Sequence, residues 1–194
     1  AGTKIRGGDV ERRDVVLKVS LDSMDDIFNE LLIHKVLFCY YREYGKGELK
    51  KMKKEIANFE VYPIIPKIYA YGTSRNWPRR QEEVSWVCMQ HVDKTLERAL
   101  TDGIVNNKKV LIRGCLKQVC AMLQVLQKEF KFMHRDLHWY NVMVKKSNHE
   151  TRPQVCLIDF GGSRLEVNNK TKIISGQGGV YASNRVFNPA QDTL

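Results

Sequence analysis

Two short polar stretches in the second half of the chain place the strongest constraint on its fold. The first is His134-Arg135-Asp136-Leu137-His138-Trp139-Tyr140-Asn141, and the second, Asp159-Phe160-Gly161, begins eighteen residues after Asn141. A carboxylate and an amide on one loop can accept the proton of an attacking hydroxyl and bind a metal ion. The second Asp can hold that metal against phosphate oxygens. These stretches therefore predict a phosphoryl-transfer site on a fold that brings the two loops together.

The hydrophobic pattern around these stretches predicts an α+β chain. Alternating or continuous apolar runs predict strands at 14–19, 63–71, 84–89, 142–144 and 155–158, the last ending directly before Asp159. Apolar residues at helical spacing predict helices at 27–38, 95–100 and 111–126. An earlier strand is predicted to end at 1–4, with a turn at 6–9, a basic helix at 46–55 and the start of a helix at 188–194. Polar composition predicts loops at 72–83 and after Gly161.

One lysine interrupts the apolar strand Val15-Val16-Leu17-Lys18. A buried ammonium group costs free energy unless it is paired. The strand is therefore either an edge strand with a solvated lysine or the carrier of a paired, phosphate-binding lysine. Glu30, on the apolar face of the predicted helix 27–38, is the predicted partner for Lys18.

Length and composition limit the class of protein. A chain of 194 residues fits one modest domain or two small lobes. Its net charge of +10 favours contact with nucleic acid or another acidic surface. No apolar run approaches the ~20 residues that a membrane span requires. The five cysteines lack C-x-x-C spacing and are expected to be buried, reduced thiols of an intracellular protein, nuclear or cytoplasmic.

The two polar stretches resemble the catalytic and metal-binding loops of eukaryotic-type protein kinases, and the nearest local likeness is to the haspin group. That likeness covers three segments: 134–142 with Lys145-Lys146, 30–35 and 163–166. The chain shares with haspins the lack of an Ala-Pro-Glu signature, but Asp159-Phe160-Gly161 stands where haspins depart from that sequence. A compact virus-encoded member, acting in a host cell, fits the small size.

The resemblance implies a two-lobed, protein-kinase-like α+β fold of minimal or truncated form. The N-lobe is expected at residues 1–91 and a partial C-lobe at residues 92–194. Because no Gly-rich loop precedes Lys18, the first strand and the phosphate lid are expected to be missing, and the C-lobe helices are expected to be cut short.

The same resemblance implies an ATP- and Mg²⁺-dependent protein serine/threonine kinase. In that interpretation Asp136 accepts the proton of the substrate hydroxyl, and Asn141 and Asp159 hold Mg²⁺. Lys18, fixed by Glu30, binds the α- and β-phosphates. His138 stands where most such kinases carry a lysine that meets the γ-phosphate, and it is expected to work partly protonated.

The resemblance also implies how the adenine would be bound. Val16 and Met143 would cover its two faces with Ile158 beneath, Met89 would be the gatekeeper, and the backbone of Gln90, His91 and Val92 would bind its edge. Candidate phosphate acceptors after the metal-binding loop are Ser163, Thr171, Ser175 and Tyr181.

The residues leave other functions open. A nucleotide-binding pseudokinase or scaffold, acting through a basic surface, is favoured by the missing Gly-rich loop. A small-molecule phosphotransferase shares the Asp, Asn and Asp arrangement, although such enzymes tend to carry Gly where Arg135 stands. Haspin kinases phosphorylate a basic histone tail, whereas a chain of charge +10 is expected to prefer a protein substrate with acidic or neutral flanks.

Overall fold

The computed structural model describes residues 14–20, 24–45, 47, 64–75, 83–102, 107–145, 154–167 and 172–175. Four predicted segments lie wholly or mostly outside this part of the chain: the strand ending at 1–4, the turn at 6–9, the basic helix at 46–55 and the helix start at 188–194.

Three antiparallel strands form the first sheet: β1 (Val15–Ser20), β2 (Ile68–Ser74) and β3 (Val84–Gln90), in the order β1-β3-β2. All three strands were predicted, although β2 continues to Ser74, into the segment predicted as a loop. Strand β2 passes closely over β3 at Gly72, where an added Cβ would lie 3.1 Å from the indole of Trp86. A side chain at position 72 would therefore push the two strands apart.

Helix α1 (Met24–Tyr40) follows β1 and runs into a π-helical turn, Tyr41–Gly45. Ile33, Leu37 and Tyr41 are buried at helical spacing and join the hydrophobic core. Glu30 and His34 form a second pair at positions i and i+4, which places both side chains on one face of the helix.

Two helices and a second sheet follow β3. Strand β4 (Lys94–Thr95) leads into α2 (Leu96–Thr101), which is capped by a bond from Arg98 N to Thr95 Oγ1 (3.2 Å). Helix α3 (Lys108–Phe130) is capped by Lys131, whose left-handed φ of 44° ends the helix and turns the chain towards the loop 134–141. Strands β5 (Val142–Lys145) and β6 (Gln154–Leu157) pair with β4 in the order β4-β5-β6. The helices and the hairpin confirm the sequence prediction.

Helix α3 is the main support of the core. One side of it is buried throughout its length, including Leu111, Cys115, Val119, Met122 and Leu126. By length and composition alone this helix could cross a membrane, but half of the apolar stretch is buried inside the protein. A core helix of a globular domain has the same pattern, so α3 gives no clear membrane span.

The segment after Gly161 differs from the prediction. It was expected to be a loop, but β7 (Arg164–Val167) and β8 (Lys172–Ser175) form an antiparallel hairpin. Strand β7 is also bridged to Met133, with Arg164 N donating to Met133 O and Met133 N donating to Arg164 O, both at 2.9 Å. The charged residues of β7 hid this strand, because a strand pattern is recognised from apolar residues and here the charges are buried by tertiary contacts.

A buried ion pair strengthens the same junction. Arg164 Nη2 lies 2.6 Å from Glu166 Oε1, and both side chains are at most 10% exposed. Lys131 Nζ reaches the other oxygen of Glu166 at 3.1 Å. The charges of Arg164 and Glu166, from which a loop was predicted, therefore compensate each other, and Lys131 after α3 contributes to the pair.

The cysteine prediction is only partly correct. Cys115 and Cys156 are buried, Cys88 is half-buried, and Cys39 and Cys120 are exposed. All five are free thiols, and burial raises the pKa of Cys115 to about 12.

Replacing Glu166 with Gln is expected to lower the free energy of unfolding by about 3 kcal/mol, because Arg164 would stay buried with an uncompensated charge. The control is Lys131→Met, which removes the 40%-exposed partner of the same carboxylate and should cost less than about 1 kcal/mol. Urea unfolding of the three proteins at pH 7 measures both values. Equal losses in the two variants would contradict this assignment.

Candidate active site

Lys18 lies between two carboxylates that come from distant parts of the chain. Its Nζ is 2.7 Å and 2.9 Å from the two oxygens of Glu30 and 3.0 Å from Asp159 Oδ1. Glu30 comes from α1 and is the partner that the sequence predicted. Asp159 follows β6, so this one ammonium group joins β1, α1 and the end of β6.

The two carboxylates control the charge of the lysine. Burial alone would lower the pKa of Lys18, but attraction to Glu30 and Asp159 outweighs it, and the pKa is raised. Burial would likewise raise the pKa of Asp159, but Lys18 and the backbone N–H of Gly161 hold it below its usual value. At neutral pH the site therefore contains a stable ammonium group and an ionised Asp159.

The loop from His134 to Asn141 is held in place by hydrogen bonds to Ile158. His134 is fully buried and its Nε2 lies 3.0 Å from the carbonyl oxygen of Ile158. Ile158 N in turn donates to Asn141 O at 3.1 Å. These two bonds tie the loop, and Asn141 with it, to the residue that directly precedes Asp159.

Asn141 also orients the predicted base. Its Nδ2 donates to the backbone oxygen of Asp136 at 2.9 Å and approaches Asp136 Oδ2 at 3.3 Å. The amide nitrogen therefore faces Asp136, and the carboxamide oxygen, which can bind a cation, is turned away from it. Asp136 is 39% exposed, so its carboxylate is accessible to an incoming hydroxyl.

His138 lies beside this carboxylate. Its Nε2 is 3.6 Å from Asp136 Oδ2, and its Nδ1 accepts a bond from Tyr140 N at 3.3 Å. The same Nε2 lies 3.3 Å from Asn141 Nδ2. His138 therefore contacts both Asp136 and the amide that orients it.

The backbone turns sharply at Asp159, where φ is 62°. This turn directs the carboxylate towards Lys18 and sends the next side chain, Phe160, into the core, where it is fully buried. The Phe160 ring packs edge-on against His34, with 5.2 Å between the ring centroids. It also contacts Phe132 at 6.2 Å and His134 at 5.5 Å.

The residues predicted to enclose adenine lie on β1, β3 and β5 and directly after β6. Val16 is the direct cross-strand neighbour of Met89, and Met143 and Ile158 are both half-buried. In the segment after β3, Gln90 N donates to Lys67 O at 2.8 Å and His91 N to Asp14 O at 3.3 Å. Among the described residues Val92 N has no such partner, which leaves it as the available donor of these three.

Ser163 is not an accessible phosphate acceptor, and its prediction was wrong. It is fully buried, and its Oγ donates to the backbone oxygen of His134 at 3.1 Å. Thr171 and Tyr181 lie outside the described residues.

The site residue that the sequence reasoning missed is His34. It is 4% exposed, and its Nε2 lies 2.7 Å from the carbonyl oxygen of Pro66. Burial lowers its pKa from the usual 6.5 to about 4, against the opposing effect of this hydrogen bond. Its position four residues after Glu30 was the available signal, because i and i+4 share one helix face.

The chemistry of the donor set can be tested against a nucleotide and Mg²⁺. Magnesium prefers oxygen ligands and is commonly bound by one or two carboxylates together with phosphates. Asn141 and Asp159 offer one amide oxygen and one ionised carboxylate. Gly161 lies close to two carboxylates of the site, since an added Cβ would be in ordinary van der Waals contact with Asp159 Oδ1 at 3.5 Å and Glu30 Oε2 at 3.6 Å. In the described part of the chain no three His, Cys, Asp or Glu side chains converge on a metal site by themselves.

Comparison with known proteins identifies the family. The family model described as "Haspin like kinase domain" matches residues 14–179. The chain belongs to the haspin-like kinase family. A serine/threonine-protein kinase haspin homolog from Arabidopsis thaliana is 35% identical over an alignment of 92 residues. The match covers 44% of this chain and 14% of that protein.

The solved structures include a similar chain in the yeast RNA Pol II CTD kinase CTDK-1 complex. The two chains are 18% identical with a TM-score of 0.44, over 79% of this chain and 40% of the other. Membership of the haspin-like family confirms the α+β kinase-like fold class that the sequence predicted, and it supports protein kinase activity in general. The division into lobes at residues 91 and 92 stays a prediction.

The buried His34 is expected to make stability depend on pH. Its pKa is about 4 in the folded protein and near 6.5 when unfolded, so the unfolded chain binds more protons between these values. The contribution of His34 to the free energy of unfolding should be fully present above pH 6.5. As the pH falls from 7 to 5, the free energy of unfolding should decrease by about 2 kcal/mol. The measurement is urea unfolding of wild type and His34→Gln across this range.

The Gln variant keeps an N–H donor but cannot titrate, and it shares every other ionisable group with the wild type. The difference between the two proteins should therefore grow in favour of Gln as the pH falls. Parallel pH profiles would show that His34 makes no such contribution.

Proposed function

We propose that this haspin-like kinase is an ATP- and Mg²⁺-dependent protein kinase that transfers the γ-phosphate to serine or threonine hydroxyls of a protein. The observation that carries the proposal is the contact of Lys18 with both Glu30 and Asp159, at 2.7–3.0 Å. The loop that carries Asp136 and Asn141 is hydrogen-bonded to Ile158, the residue before Asp159. These contacts support a phosphate-binding cation, a metal-binding carboxylate and a base in one site, which is what phosphoryl transfer requires.

Lys18 would bind the α- and β-phosphates of the nucleotide. Glu30 keeps the ammonium group charged and in place, since it raises the pKa of Lys18 and holds it with two of its three close contacts. A preorganised cation needs no rearrangement when phosphate charge approaches. The adenine would lie between Val16 and Met143, above Ile158, with Met89 behind it.

The edge of the adenine would be recognised by the backbone of Gln90, His91 and Val92. Gln90 N and His91 N already donate to Lys67 O and Asp14 O, which supports Val92 N as the donor to the adenine. Carbonyl oxygens of the same segment would accept from the amino group of the base.

Asp136 would accept the proton of the attacking hydroxyl. Its carboxylate is accessible, and the bonds from Asn141 Nδ2 fix its loop so that one oxygen stays in a defined place. His138, whose Nε2 lies 3.6 Å from Asp136 Oδ2, would present its ring to the γ-phosphate beside this carboxylate.

Asn141 and Asp159 would hold Mg²⁺ through the carboxamide oxygen and the carboxylate. Bound there, the ion neutralises charge on the phosphates of the nucleotide. The protein contributes an Asp159 kept ionised by Lys18 and a loop fixed by the bonds between Ile158 and its neighbours His134 and Asn141.

The protein substrate is proposed to have acidic or neutral flanks, and nucleic acid or another acidic surface is a further expected partner. The first half of α3 carries four exposed cations, Lys108, Lys109, Arg113 and Lys117, with no acidic residue in its first turn. Cations at a helix N-terminus oppose the helix dipole, so a structural role does not explain this cluster. We refer to these four residues as the α3 basic face.

An intracellular location, nuclear or cytoplasmic, is part of the same proposal. All five cysteines are free thiols, which suits a reducing compartment.

Replacing Asp136 with Asn should lower the rate of phosphate transfer by about 100-fold or more, because the proton acceptor is lost. Binding of Mg-ATP should change by less than about threefold, since Asp136 does not hold the nucleotide in this proposal. Transfer of labelled γ-phosphate to a mixed protein substrate and titration with Mg-ATP measure the two quantities. The control is Asp102→Asn, which removes an exposed carboxylate that pairs with Lys94 outside the site and should leave both unchanged.

Phosphate transfer by Asp136→Asn at the wild-type rate would refute the role of Asp136 as the base. Nucleotide binding by the wild type without any transfer would instead support the pseudokinase alternative.

Substrate preference follows from charge. Peptides with a central serine and acidic flanks should be phosphorylated at least about tenfold more efficiently, by kcat/KM, than basic ones at low salt, and the difference should shrink at 0.5 M salt. Changing the α3 basic face to Gln at all four positions should reduce the preference. Equal kcat/KM for acidic and basic peptides at low salt would exclude this mode of recognition.

A further inference from the structure

Two aromatic side chains on the loop 134–141 are used by none of the roles above. Among the large apolar side chains of the described residues, Trp139 and Tyr140 are the most exposed, at 58% and 57%. Both follow Asp136 within four positions, and Tyr140 directly precedes Asn141. An exposed aromatic side chain gains free energy when a partner covers it, and such residues are concentrated at sites of recognition. The loop that carries the proposed base therefore also carries an exposed apolar surface.

Tyr140 packs beside His138, between the solvent and the base. Its ring contacts the imidazole edge-on, with 5.8 Å between the ring centroids, and its backbone N donates to His138 Nδ1 at 3.3 Å. The other ring nitrogen of His138, Nε2, lies 3.6 Å from Asp136 Oδ2. The Tyr140 ring is therefore within roughly 11 Å of this carboxylate, a distance that about three residues of extended chain span.

This distance places Tyr140 within reach of a bound protein segment. A segment whose serine hydroxyl meets Asp136 continues away from the serine in two directions. In one of them, a side chain within about three residues of the serine can pack on the exposed part of the Tyr140 ring. Its burial there would remove apolar surface of both partners from water, which favours binding.

The chemistry of the surface favours an apolar side chain at this place. The stretch 137–140 consists of leucine, histidine, tryptophan and tyrosine, without an acidic residue. Leu137 and Trp139 also line a cavity of about 530 Å³, together with apolar residues of α3. An arginine could stack on the Tyr140 ring, but no carboxylate of this stretch would pair with it, and the net charge of +10 opposes its approach.

We propose that Tyr140 is a specificity-determining residue, which selects protein substrates with an aliphatic or aromatic side chain within about three residues of the acceptor serine or threonine. That side chain packs on the Tyr140 ring while the acceptor hydroxyl meets Asp136. The remaining flanks keep the acidic or neutral character proposed above. The effect on phosphate transfer rests on the proposed kinase function, whereas binding of the segment to Tyr140 does not.

A set of peptides of equal charge tests the proposal. Each peptide has a central serine and acidic flanks, with either leucine or glutamine at one of the three positions before or after the serine. With wild type and Mg-ATP, leucine at one of these positions should give a KM about tenfold lower than glutamine, the size expected for partial burial of one leucine side chain. The kcat should differ by less than about twofold, because this contact is the same in the bound state and in the transition state.

Three variants of the full chain separate contact with the substrate from support of His138. Tyr140→Ala removes the ring and should bring the two KM values to within about twofold of each other. Tyr140→Phe keeps the ring and should keep the tenfold difference. Tyr71→Ala, at a 49%-exposed tyrosine of β2, is the matched control and should keep it as well. Because Tyr140 is exposed, Tyr140→Ala should unfold at the wild-type temperature.

A residue that only supports His138 would give a different result. Its loss would lower kcat for all peptides by the same factor and leave the ratio of their KM values unchanged. An unchanged ratio in Tyr140→Ala would therefore overturn the proposal.

Peptide binding to the nucleotide-free protein gives a second readout that needs no phosphate transfer. In fluorescence anisotropy, the labelled leucine peptide should bind wild type about tenfold more tightly than the glutamine peptide, and Tyr140→Ala should remove this difference. A peptide with arginine at the same position that binds more tightly than the leucine peptide would overturn the assignment of an apolar side chain.

The outcomes separate the two proposals. A wild type that binds the leucine peptide selectively through Tyr140 but transfers no phosphate would refute the kinase function alone. A wild type that transfers phosphate but distinguishes leucine from glutamine at none of the tested positions would refute the role of Tyr140 and leave the kinase function in place.

Discussion

The site depends on one ammonium group that is shared by two carboxylates. Lys18 is only part-buried, yet its contacts with Glu30 and Asp159 join a strand, a helix and a loop that are up to 141 residues apart in the chain. Burial of a lysine is unfavourable, but the attraction of the two carboxylates outweighs it and raises the pKa of Lys18. The same charges keep Asp159 ionised. The attraction between Lys18 and the two carboxylates thus holds the three elements together and keeps the groups of the proposed phosphate site charged.

The core below this contact limits how far its members can move. Phe160 follows Asp159 and contacts three rings from two segments, His34 of α1 and Phe132 and His134 after α3. The catalytic loop is attached to the same region through Ile158, and β7 is attached to Met133 just before that loop. Close packing transmits displacement because there is no free volume to absorb it. The position of α1, the turn at Asp159 and the catalytic loop are therefore mechanically linked.

Most of the local structure could be predicted from the sequence. The strands around Lys18 and Met89, the helix carrying Glu30 and the hairpin before Asp159 follow from apolar periodicity, which reports burial of one face. The hairpin β7-β8 could not be predicted in this way. Its strand residues Arg164 and Glu166 are charged, and they are buried only because they compensate each other and Lys131. In an analysis of hydrophobic periodicity a charged residue indicates exposure. The pattern contains no information about an oppositely charged partner that tertiary packing brings into contact, such as Lys131.

The sequence by itself determined which chemical groups are present, in which order, and on which local elements they lie. Asp136 and Asn141 share one loop, so their proximity is a local property that five residues of spacing already imply. The tertiary structure decided the rest: the meeting of Lys18 with Asp159, the burial of Ser163, and the donation of a hydrogen bond by His34 to Pro66. These contacts join residues that are far apart in the chain. They form only when whole elements pack, and the local patterns from which a sequence is interpreted do not contain that information.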